Sequence, residues 1–369
     1  MADIPTMGVE EEFLLVDPST GAPVDRNREV AAGAAEQGVE LQLELTSCQV
    51  ETATDVADTA EELRASLQHL RRTAAGAAER AGARLLAIGL PPTLPHDFPI
   101  TDTPRYRDIG ERFGMIAHEQ GICGCHVHVA VPDRATAVAV SNRLRPWLPT
   151  LLALTANSAI YRNADTGHSS WRSVLWARWP SAGPPPLFES VEAFDAAVGL
   201  LCDTEVIRDD GMVYWDVRPS KDFPTVEIRV ADVPATVTET VLFAVLVRAA
   251  VMTVLADERR GEPLAPLAGY ALKAAYWKAA RDGLDGTGVD LERHAAAPMS
   301  ELLRRLTKRL RPALEQAGDA ELVDRELAAV LDRGNGAMRQ RRAWRRRHDV
   351  ADVIAEAATA TLETGPAAG

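Results

Sequence analysis

Three consecutive glutamates, Glu10, Glu11 and Glu12, interrupt an otherwise apolar segment near the start of the chain. Side chains alternate between the two faces of a strand, so Glu10 and Glu12 project together while Glu11 projects to the opposite face. Two neighbouring carboxylates repel each other and resist burial unless a cation neutralises them. A divalent metal with oxygen ligands, such as Mg²⁺, is the first candidate for that cation. The triplet alone leaves a solvated edge strand open as the alternative.

A second motif is the run from Cys123 to His128, which alternates as a strand does. The alternation places His126 and His128 on one face and Cys123 and Cys125 on the other. Because one tetrahedral zinc site does not easily draw ligands from both faces of a strand, a shared site is disfavoured, and we expect the cysteines to be small core residues. The histidine pair is either structural or part of a site, and the sequence leaves both options open.

The segment from Thr225 to Val230 repeats this logic, with Glu227 and Arg229 on the face opposite its apolar residues. They form either a surface salt bridge or a metal-binding carboxylate beside a cation for a substrate carboxylate or phosphate. Four predicted strands thus present polar pairs on one face, which predicts a charged concave sheet suited to hard cations and highly charged substrates. The pairs are Glu10 and Glu12, Gln42 and Glu44, His126 and His128, and Glu227 and Arg229.

The elements that must position these residues follow from hydrophobic periodicity. Besides the first segment, we predict strands over 41–45, 84–90, 122–131, 212–218 and 225–230. Helices are predicted over 56–83, 106–119 and 135–158, the last bent near Pro146 and Pro149, and over most of the chain after residue 236. The long polar segment 161–188 is predicted to be a functional or mobile loop. Strands that cluster early and helices that cluster late favour an α+β fold.

Length and composition set the remaining bounds. We predict one catalytic domain over residues 1–369, strand-rich over 1–235 and helical over 236–363. The net charge of −13 argues against nucleic-acid and anionic-membrane partners. One basic run, 338–347, is either a solvated helix face or a contact for phosphates or a partner. We also predict a cytoplasmic protein, since it has only four cysteines and no visible signal, and its apolar stretch 241–255 contains Arg248 and is short for a membrane helix.

Several short motifs occur in one order along nearly the whole chain and together resemble the glutamate–cysteine ligase type 2 family of bacterial carboxylate–amine ligases. They are Gly8-Val9-Glu10-Glu11-Glu12-Phe13, Glu51-Thr52-Ala53-Thr54, Gly124-Cys125-His126-Val127-His128-Val129, Asn157-Ser158 leading into Asp165-Thr166-Gly167-His168-Ser169-Ser170, Val226-Glu227-Ile228-Arg229, and Arg339-Gln340-Arg341. The resemblance implies a glutamine-synthetase-like catalytic fold. In that fold a curved, mainly antiparallel sheet holds ATP and divalent metals on its concave face, and helices pack on the convex side.

The resemblance also implies roles for individual residues. The implied metal ligands are Glu10, Glu12, Glu51, His126 and Glu227. Glu227 is also counted as catalytic together with Arg229, which would contact phosphate or the substrate carboxylate. Arg172 and His168 are implied in substrate recognition.

A further family element matches Arg339 and Arg341, which we carry as cofactor-binding candidates. The implied reaction joins L-glutamate to L-cysteine, or a related amine, through an acyl phosphate, with ATP as co-substrate. The metal is Mg²⁺, although a histidine ligand would also suit Mn²⁺. The oligomeric state is left open, and a homodimer is one possibility.

Two other functions stay open. One is a zinc-dependent hydrolase that uses the pair His126 and His128, although the other histidines do not follow predicted strands as such enzymes require. The other is a non-catalytic relative that binds nucleotide without turnover.

Overall fold

The structure is a computed structural model that describes residues 4–93, 98–119 and 121–363. Segments in which apolar and ionisable residues alternate form its main strands. The strands are β1 (Met7–Val16), β2 (Gln42–Leu43), β3 (Gln49–Ala53), β4 (Arg84–Leu86), β5 (Gly124–Ala130), β6 (Ile160–Tyr161), β7 (Ala164–Asp165), β8 (Val217–Pro219), β9 (Thr225–Asp232), β10 (Thr287–Asp290) and β11 (Ala295–Pro298).

Helices precede, separate and follow these strands. They are α1 (Asn27–Ala35), α2 (Ala60–Arg80), α3 (Pro104–Phe113), α4 (Met115–His118), α5 (Arg134–Leu144), α6 (Leu148–Thr155), α7 (Trp171–Trp176), α8 (Val191–Asp203), α9 (Val237–Arg259), α10 (Gly269–Asp282), α11 (Met299–Ala317), α12 (Ala320–Arg333), α13 (Gly336–Arg347) and α14 (Val350–Thr361).

The strands that carry the ionisable motifs pair in one sheet of seven strands, in the order β2-β3-β1-β5-β9-β8, with β4 also paired to β1. The pairs in this sheet are antiparallel. Strands distant in sequence therefore lie side by side, and β1 stands between β3 and β5. The α+β fold with a mainly antiparallel sheet is the one predicted from the sequence.

One face of the sheet is covered by helices. Val9 of β1, Val127 of β5 and Ile228 of β9 are fully or almost fully buried and join a single core with residues of α2, α5, α6, α9, α11 and α12. At about 25 cal/mol per Å² of apolar surface removed from water, this face supplies a large part of the folding free energy. The polar residues that alternate with it are thereby turned to the opposite face.

Helix α9 lies at the centre of this core. It has 23 residues, so the prediction that its apolar stretch is too short to cross a membrane is wrong on length. Within the described residues it is the one helix long and apolar enough for a span, but 78% of its most apolar window is buried inside the protein. Arg248, which interrupts that stretch, is itself buried and paired with Asp319.

Several predicted boundaries are wrong for local reasons. The strand predicted over 41–45 is reduced to β2, and the side chains of Leu41, Leu43 and Leu45 are only half-buried. Helix α2 begins at Ala60 because Thr59 and Glu62 form a capping box. The helix predicted over 106–119 is divided into α3 and α4 at Gly114, whose φ of 52° does not fit a right-handed helix.

Other predicted helices and strands are also interrupted or shorter in the structure. The helix expected to bend near its prolines is interrupted there, with α5 ending before Pro146 and α6 beginning at Leu148. The strand predicted over 84–90 ends at Leu86, and the strand over 212–218 is reduced to β8 because Met212 lies in a short 3₁₀ turn. The pattern gave no signal for the hairpin β10–β11, whose second strand is the sequence Ala-Ala-Ala-Pro.

Candidate active site

The register of the sheet sets the ionisable side chains in rows across one face. Glu10 of β1 lies opposite His126 of β5, and Glu12 of β1 lies opposite Glu51 of β3. Further along β5, His128 lies opposite Glu227 of β9. The antiparallel pairing thus brings together residues separated by more than 200 positions in the sequence.

An irregularity between β5 and β9 refines this arrangement. The register shifts between Cys125 and Val127, so two residues of β9, Arg229 and Val230, oppose the single residue His126. Such a bulge changes which residues share a face beyond it. Asp232 consequently lies opposite Gly124, at the end of the row that begins with Glu227 and Arg229.

Glu10 is the centre of the first group of side chains. Its carboxylate lies 3.1 Å from His126 Nδ1 and 3.5 Å from His128 Nε2. Burial raises the pKa of Glu10, but the two histidines outweigh this effect and hold the pKa well below its ordinary value. Burial and the nearby Arg229 lower the pKa of His126. The site therefore favours the anionic form of Glu10 and the neutral form of His126, and both forms can bind a metal.

A second group is purely acidic. Oxygens of Glu12, Glu44 and Glu51 lie within 4.8 Å of one another. Burial and the charge of Glu12 raise the pKa of Glu44 to about 8, and burial with the charge of Glu44 raises the pKa of Glu51 well above its ordinary value. Carboxylates held this close without a cation resist ionising together. A divalent cation would relieve that cost.

Two arginines hold Glu227 on β9, at the side of the sheet away from β2 and β3. Arg218 of β8 donates from Nε to Glu227 Oε2 at 2.7 Å, and Arg229 donates from Nη1 to Glu227 Oε1. Burial raises the pKa of Glu227, but the charges of Arg229 and Arg218 outweigh it and keep the pKa well below its ordinary value. Arg229 Nη1 also lies 3.3 Å from His126 Nδ1. This end of the face therefore joins an anion to two fixed cations.

Arg172, at the start of α7, enters the site from the polar segment. Its guanidinium is buried, lies 3.8 Å from Asp232 and packs against Gly124, where a Cβ would lie 2.5 Å from Arg172 Nη2. Asp232 is held by hydroxyl groups of Ser158 and Ser170 at 2.7 and 2.8 Å. Helix α7 is thereby anchored to the end of β9, and Arg172 faces the site.

These groups line one cleft of about 320 Å³. All eight residues of the four predicted polar pairs line it, together with Glu51 and Arg172. Aromatic residues close the remaining wall, and among them Trp176, Trp179 and Tyr214 are in mutual ring contact. The predicted charged face is therefore present as a cleft with an acidic part, a basic part and an aromatic wall.

The donor set of the cleft fits a hard divalent cation. Among the described residues, ligand atoms lie within 4.8 Å of one another in three overlapping groups. The groups are Glu10 with Glu51 and His126, Glu10 with His128 and Glu227, and Glu12 with Glu44 and Glu51. Ligand sets dominated by carboxylate oxygen are typical of Mg²⁺ and Mn²⁺. Among the described residues, the buried Nε atoms of Arg172 and Arg229 have no hydrogen-bond partner, which favours an anionic ligand beside the cations.

Three residues implied by the resemblance lie outside the cleft. His168 packs against the rings of Trp171 and Trp277. Arg339 of α13 forms an ion pair with Glu239 of α9, and Arg341 pairs with Asp165 of β7. Neither arginine lines the cleft, so their cofactor-binding role stays a prediction without geometric support.

The cleft also contains residues that the resemblance did not imply as metal ligands or substrate contacts. Glu44 and His128 complete two of the donor groups, and Arg218 holds Glu227. Strand alternation predicted the face of Glu44 and His128, but only the pairing of strands shows which residues these three side chains contact. Cys123 and Cys125 are buried core residues, as expected, and burial raises the pKa of each thiol well above its ordinary value.

Residues 6–358 of the chain match the sequence model of glutamate–cysteine ligase family 2. A Mycolicibacterium vanbaalenii protein named "Putative glutamate–cysteine ligase 2-2" is 77% identical over 99% of this chain and all of its own.

Solved structures share the fold at low sequence identity. Glutamate–cysteine ligase from Francisella tularensis, solved in complex with AMP, superimposes with a TM-score of 0.73 at 13% identity, over 98% of this chain and 89% of its own. A bifunctional glutathione synthetase from Pasteurella multocida gives a TM-score of 0.68 at 15% identity, over 96% of this chain and 52% of its own. The fold is thus glutamine-synthetase-like, as expected. By its sequence match over nearly its whole length, the chain belongs to glutamate–cysteine ligase family 2.

Proposed function

We propose that this protein is an ATP-dependent carboxylate–amine ligase that joins the γ-carboxylate of L-glutamate to the amino group of L-cysteine or a related amine. The observation that carries the proposal is the meeting of three donor groups, each with at least two glutamates, with Arg218 and Arg229 in one cleft. Such a set suits a triphosphate that is bound together with divalent cations. The family match and a neighbour of the same fold in complex with AMP support it.

The residues that would hold the metals are Glu10, Glu12, Glu51, His126 and Glu227, to which the geometry adds Glu44 and His128. Bound Mg²⁺ or Mn²⁺ would neutralise phosphate charge and polarise the γ-phosphoryl group. The acidic groups lie side by side along β1, so two neighbouring sites can share Glu10 or Glu51.

The first chemical step activates the carboxylate. An oxygen of the glutamate γ-carboxylate attacks the γ-phosphorus of ATP while the bond to the β–γ bridging oxygen breaks, which gives an acyl phosphate and ADP. Arg229 and Arg218 are fixed cations that stabilise charge on the transferring phosphoryl group, because their ion pairs with Glu227 hold them in place before reaction. Arg172 supplies a further cation for a substrate carboxylate.

The second step forms the amide bond. The amine nitrogen attacks the acyl carbon, the bond from that carbon to the phosphate oxygen breaks, and phosphate leaves while the nitrogen loses its proton. The aromatic wall formed by Trp176, Trp179 and Tyr214 would limit the access of water on that side of the cleft, where water would otherwise hydrolyse the acyl phosphate. We assign the reaction to the cytoplasm, where the free cysteines of the chain stay reduced.

The hydrolase alternative is less consistent with this geometry. Among the described residues, no donor group contains both His126 and His128, and every group contains at least one glutamate. Hydrolytic zinc sites usually combine several histidines with an open position. The arrangement therefore favours an oxygen-rich site for Mg²⁺ or Mn²⁺.

The direct test is ADP release by the purified protein. We expect release that requires glutamate, an amine and Mg²⁺ together, and a γ-glutamyl product in a mass-spectrometric screen of amines with cysteine among them. A protein that binds ATP but gives no ADP with glutamate and any amine would instead be the non-catalytic relative. Hydrolysis of a substrate without ATP would support the hydrolase.

A further inference from the structure

Glu11, the middle residue of the acidic triplet, has a separate and fully buried partner. It lies on the helix-covered face of the sheet with no solvent exposure, and Arg71 of α2 is 1% exposed. Arg71 Nε donates to Glu11 Oε2 at 2.9 Å and Arg71 Nη2 donates to Glu11 Oε1 at 2.5 Å. The hydroxyl of Thr240 on α9 donates to the same Oε1 at 2.6 Å. The carboxylate behind the metal-site strand is thus held by two helices.

Arg71 extends this contact to the end of the neighbouring strand. Its Nη2 donates to the carbonyl of Pro234 at 2.9 Å, and its Nη1 donates to the carbonyl of Ala235 at 3.1 Å. The two carbonyls lie two and three residues after the end of β9, the strand that carries Glu227 and Arg229. One buried guanidinium therefore connects the middle of β1 to the end of β9, two strands away in the sheet.

The ion pair also fixes which residue of β1 occupies each position. A shift of β1 by one residue would turn Val9 and Phe13 away from the core, so hydrophobic burial opposes it. A shift by two residues would keep apolar residues inward and still leave a glutamate on the site face. That second shift would, however, place Val9 or Phe13 opposite Arg71 and leave a buried guanidinium without its carboxylate, at a large cost.

We propose that Glu11, through its buried contact with Arg71 and Thr240, is a positioning residue that sets Glu10 and Glu12 at the distances the metal site requires. The proposal rests on the proposed function only in assuming that the cleft binds divalent cations. A buried ion pair is weak evidence for stability, because apolar pairs of the same volume often stabilise as well. The role of the ion pair between Glu11 and Arg71 is instead to specify the register of β1 and its distance from the helices that cover it.

The test is the charge-conserving variant Glu11→Asp. The shorter side chain can reach Arg71 only if the backbone of β1 moves, which displaces Glu10 and Glu12. The measurement is Mn²⁺ binding to the free protein by the electron paramagnetic resonance signal of unbound Mn²⁺. We expect the dissociation constant to rise by about tenfold, the scale on which residues behind metal ligands act.

The matched control is Asp319→Glu, which changes the length of another buried carboxylate that pairs with a buried arginine, Arg248. That pair lies between α9 and α12, and Asp319 does not line the cleft. We expect its Mn²⁺ dissociation constant to stay within about twofold of that of the natural protein. Equal loss of Mn²⁺ affinity in both variants would overturn the proposal, because a general loss of packing would then explain the effect.

Thr240→Val serves if Glu11→Asp fails to fold, since it removes the hydrogen bond that Thr240 donates to Glu11 and the one that it accepts from Arg71, but no charge. We expect a threefold or greater rise in its Mn²⁺ dissociation constant, on the order of one or two lost hydrogen bonds. Natural affinity in a folded Glu11→Asp or Thr240→Val protein would overturn the positioning role. Failure of the natural protein to bind Mn²⁺ would instead contradict the proposed metal site, so the two failures are distinguishable.

Discussion

Glu227 is the carboxylate of the cleft that two arginines hold. It lies between Arg218 and Arg229, faces His128 across the strand pair, and is almost fully buried. The alternation of residues in β9 predicted that Glu227 and Arg229 share one face of the strand. Arg218 could not be assigned as the partner of Glu227, because that contact depends on the pairing of β8 with β9.

We expect Glu227→Gln to lower kcat at least about a hundredfold, because it removes a metal-binding charge and releases the two arginines from their fixed positions. Glu10→Gln should have a similar effect for the first reason alone. The measurement is glutamate-dependent ADP release with saturating ATP and Mg²⁺.

The control is Glu36→Gln, which makes the same chemical change at an exposed position after α1. Its activity should equal that of the natural protein. Full activity in both Glu227→Gln and Glu10→Gln would show that the metal-site assignment is wrong.

Asp216 gives a prediction about pH and stability. Burial raises its pKa to about 6, so the folded state holds the proton more tightly than the unfolded chain does. The contribution of Asp216 to the free energy of unfolding is therefore fully present below about pH 4 and is lost as the pH rises through about 6. The shift of about 2 pKa units corresponds to about 3 kcal/mol.

The variant Asp216→Asn cannot ionise and should escape that loss. We expect its free energy of unfolding to exceed that of the natural protein by up to about 3 kcal/mol at pH 8, relative to the difference at pH 4. Urea unfolding at a series of pH values in Mg²⁺ checks this. A difference that does not change with pH would mean that Asp216 titrates normally.

Among the elements, β5 shows how far strand patterns can be read. The alternation of His126 and His128 with buried cysteines predicted their common face, and the cleft contains both histidines. The pattern could not predict the bulge opposite His126, because an extra residue in the partner strand leaves no mark in the sequence of β5. Likewise, the partner of Glu11 lies 60 positions away on α2, where Arg71 looks like any helical arginine.

Gly124, the first residue of β5, gives a prediction at this scale. A methyl group there would lie 2.5 Å from the buried guanidinium of Arg172, which must then move away from the cleft. We expect Gly124→Ala to raise the KM for glutamate and to lower stability by about 1–3 kcal/mol, the usual cost of overpacking. Steady-state kinetics and urea unfolding measure the two effects.

Gly199→Ala in α8 is the matched control, because no atom of the described part of the chain outside the helix backbone and its chain neighbours lies within 4 Å of a Cβ at that position. It should leave the KM unchanged and stabilise the helix slightly, by about 0.5–1 kcal/mol. An unchanged KM in Gly124→Ala would show that Arg172 does not contact the substrate.

For the whole molecule, the order of strands and helices along the chain was enough to predict an α+β fold and a charged sheet face. The sequence could not predict the order of strands within the sheet, since pairs such as β1 with β5 and β5 with β9 join residues about a hundred positions apart. It also gave no sign that helices α10 to α14 contribute core packing and salt bridges while none of their described residues lines the cleft. All the described residues that line the cleft come from the first 230 positions.

Divalent cations should therefore stabilise the folded molecule. The acidic groups of the cleft repel one another in the free protein, and this repulsion disappears on unfolding, where the metal has no site. At one hundred times the dissociation constant, Mg²⁺ should raise the free energy of unfolding by about 2.7 kcal/mol. Urea unfolding with Mg²⁺, compared with sodium chloride of equal ionic strength, measures this, and equal stability in the two salts would contradict it.

The buried helix α9 has a consequence for the order in which the chain is synthesised. Its partners in the sheet, β1, β5 and β9, all leave the ribosome before it, whereas α11 and α12, which pack on it as well, leave after it. The chain is synthesised from the N-terminus, so these elements become available in that order. The nascent sheet can therefore cover one side of this apolar helix at once, while the other side stays open for the time needed to translate roughly 70 further residues, about 4 to 14 seconds at 5–20 residues per second. During that interval the protein presents the surface most easily mistaken for a membrane segment.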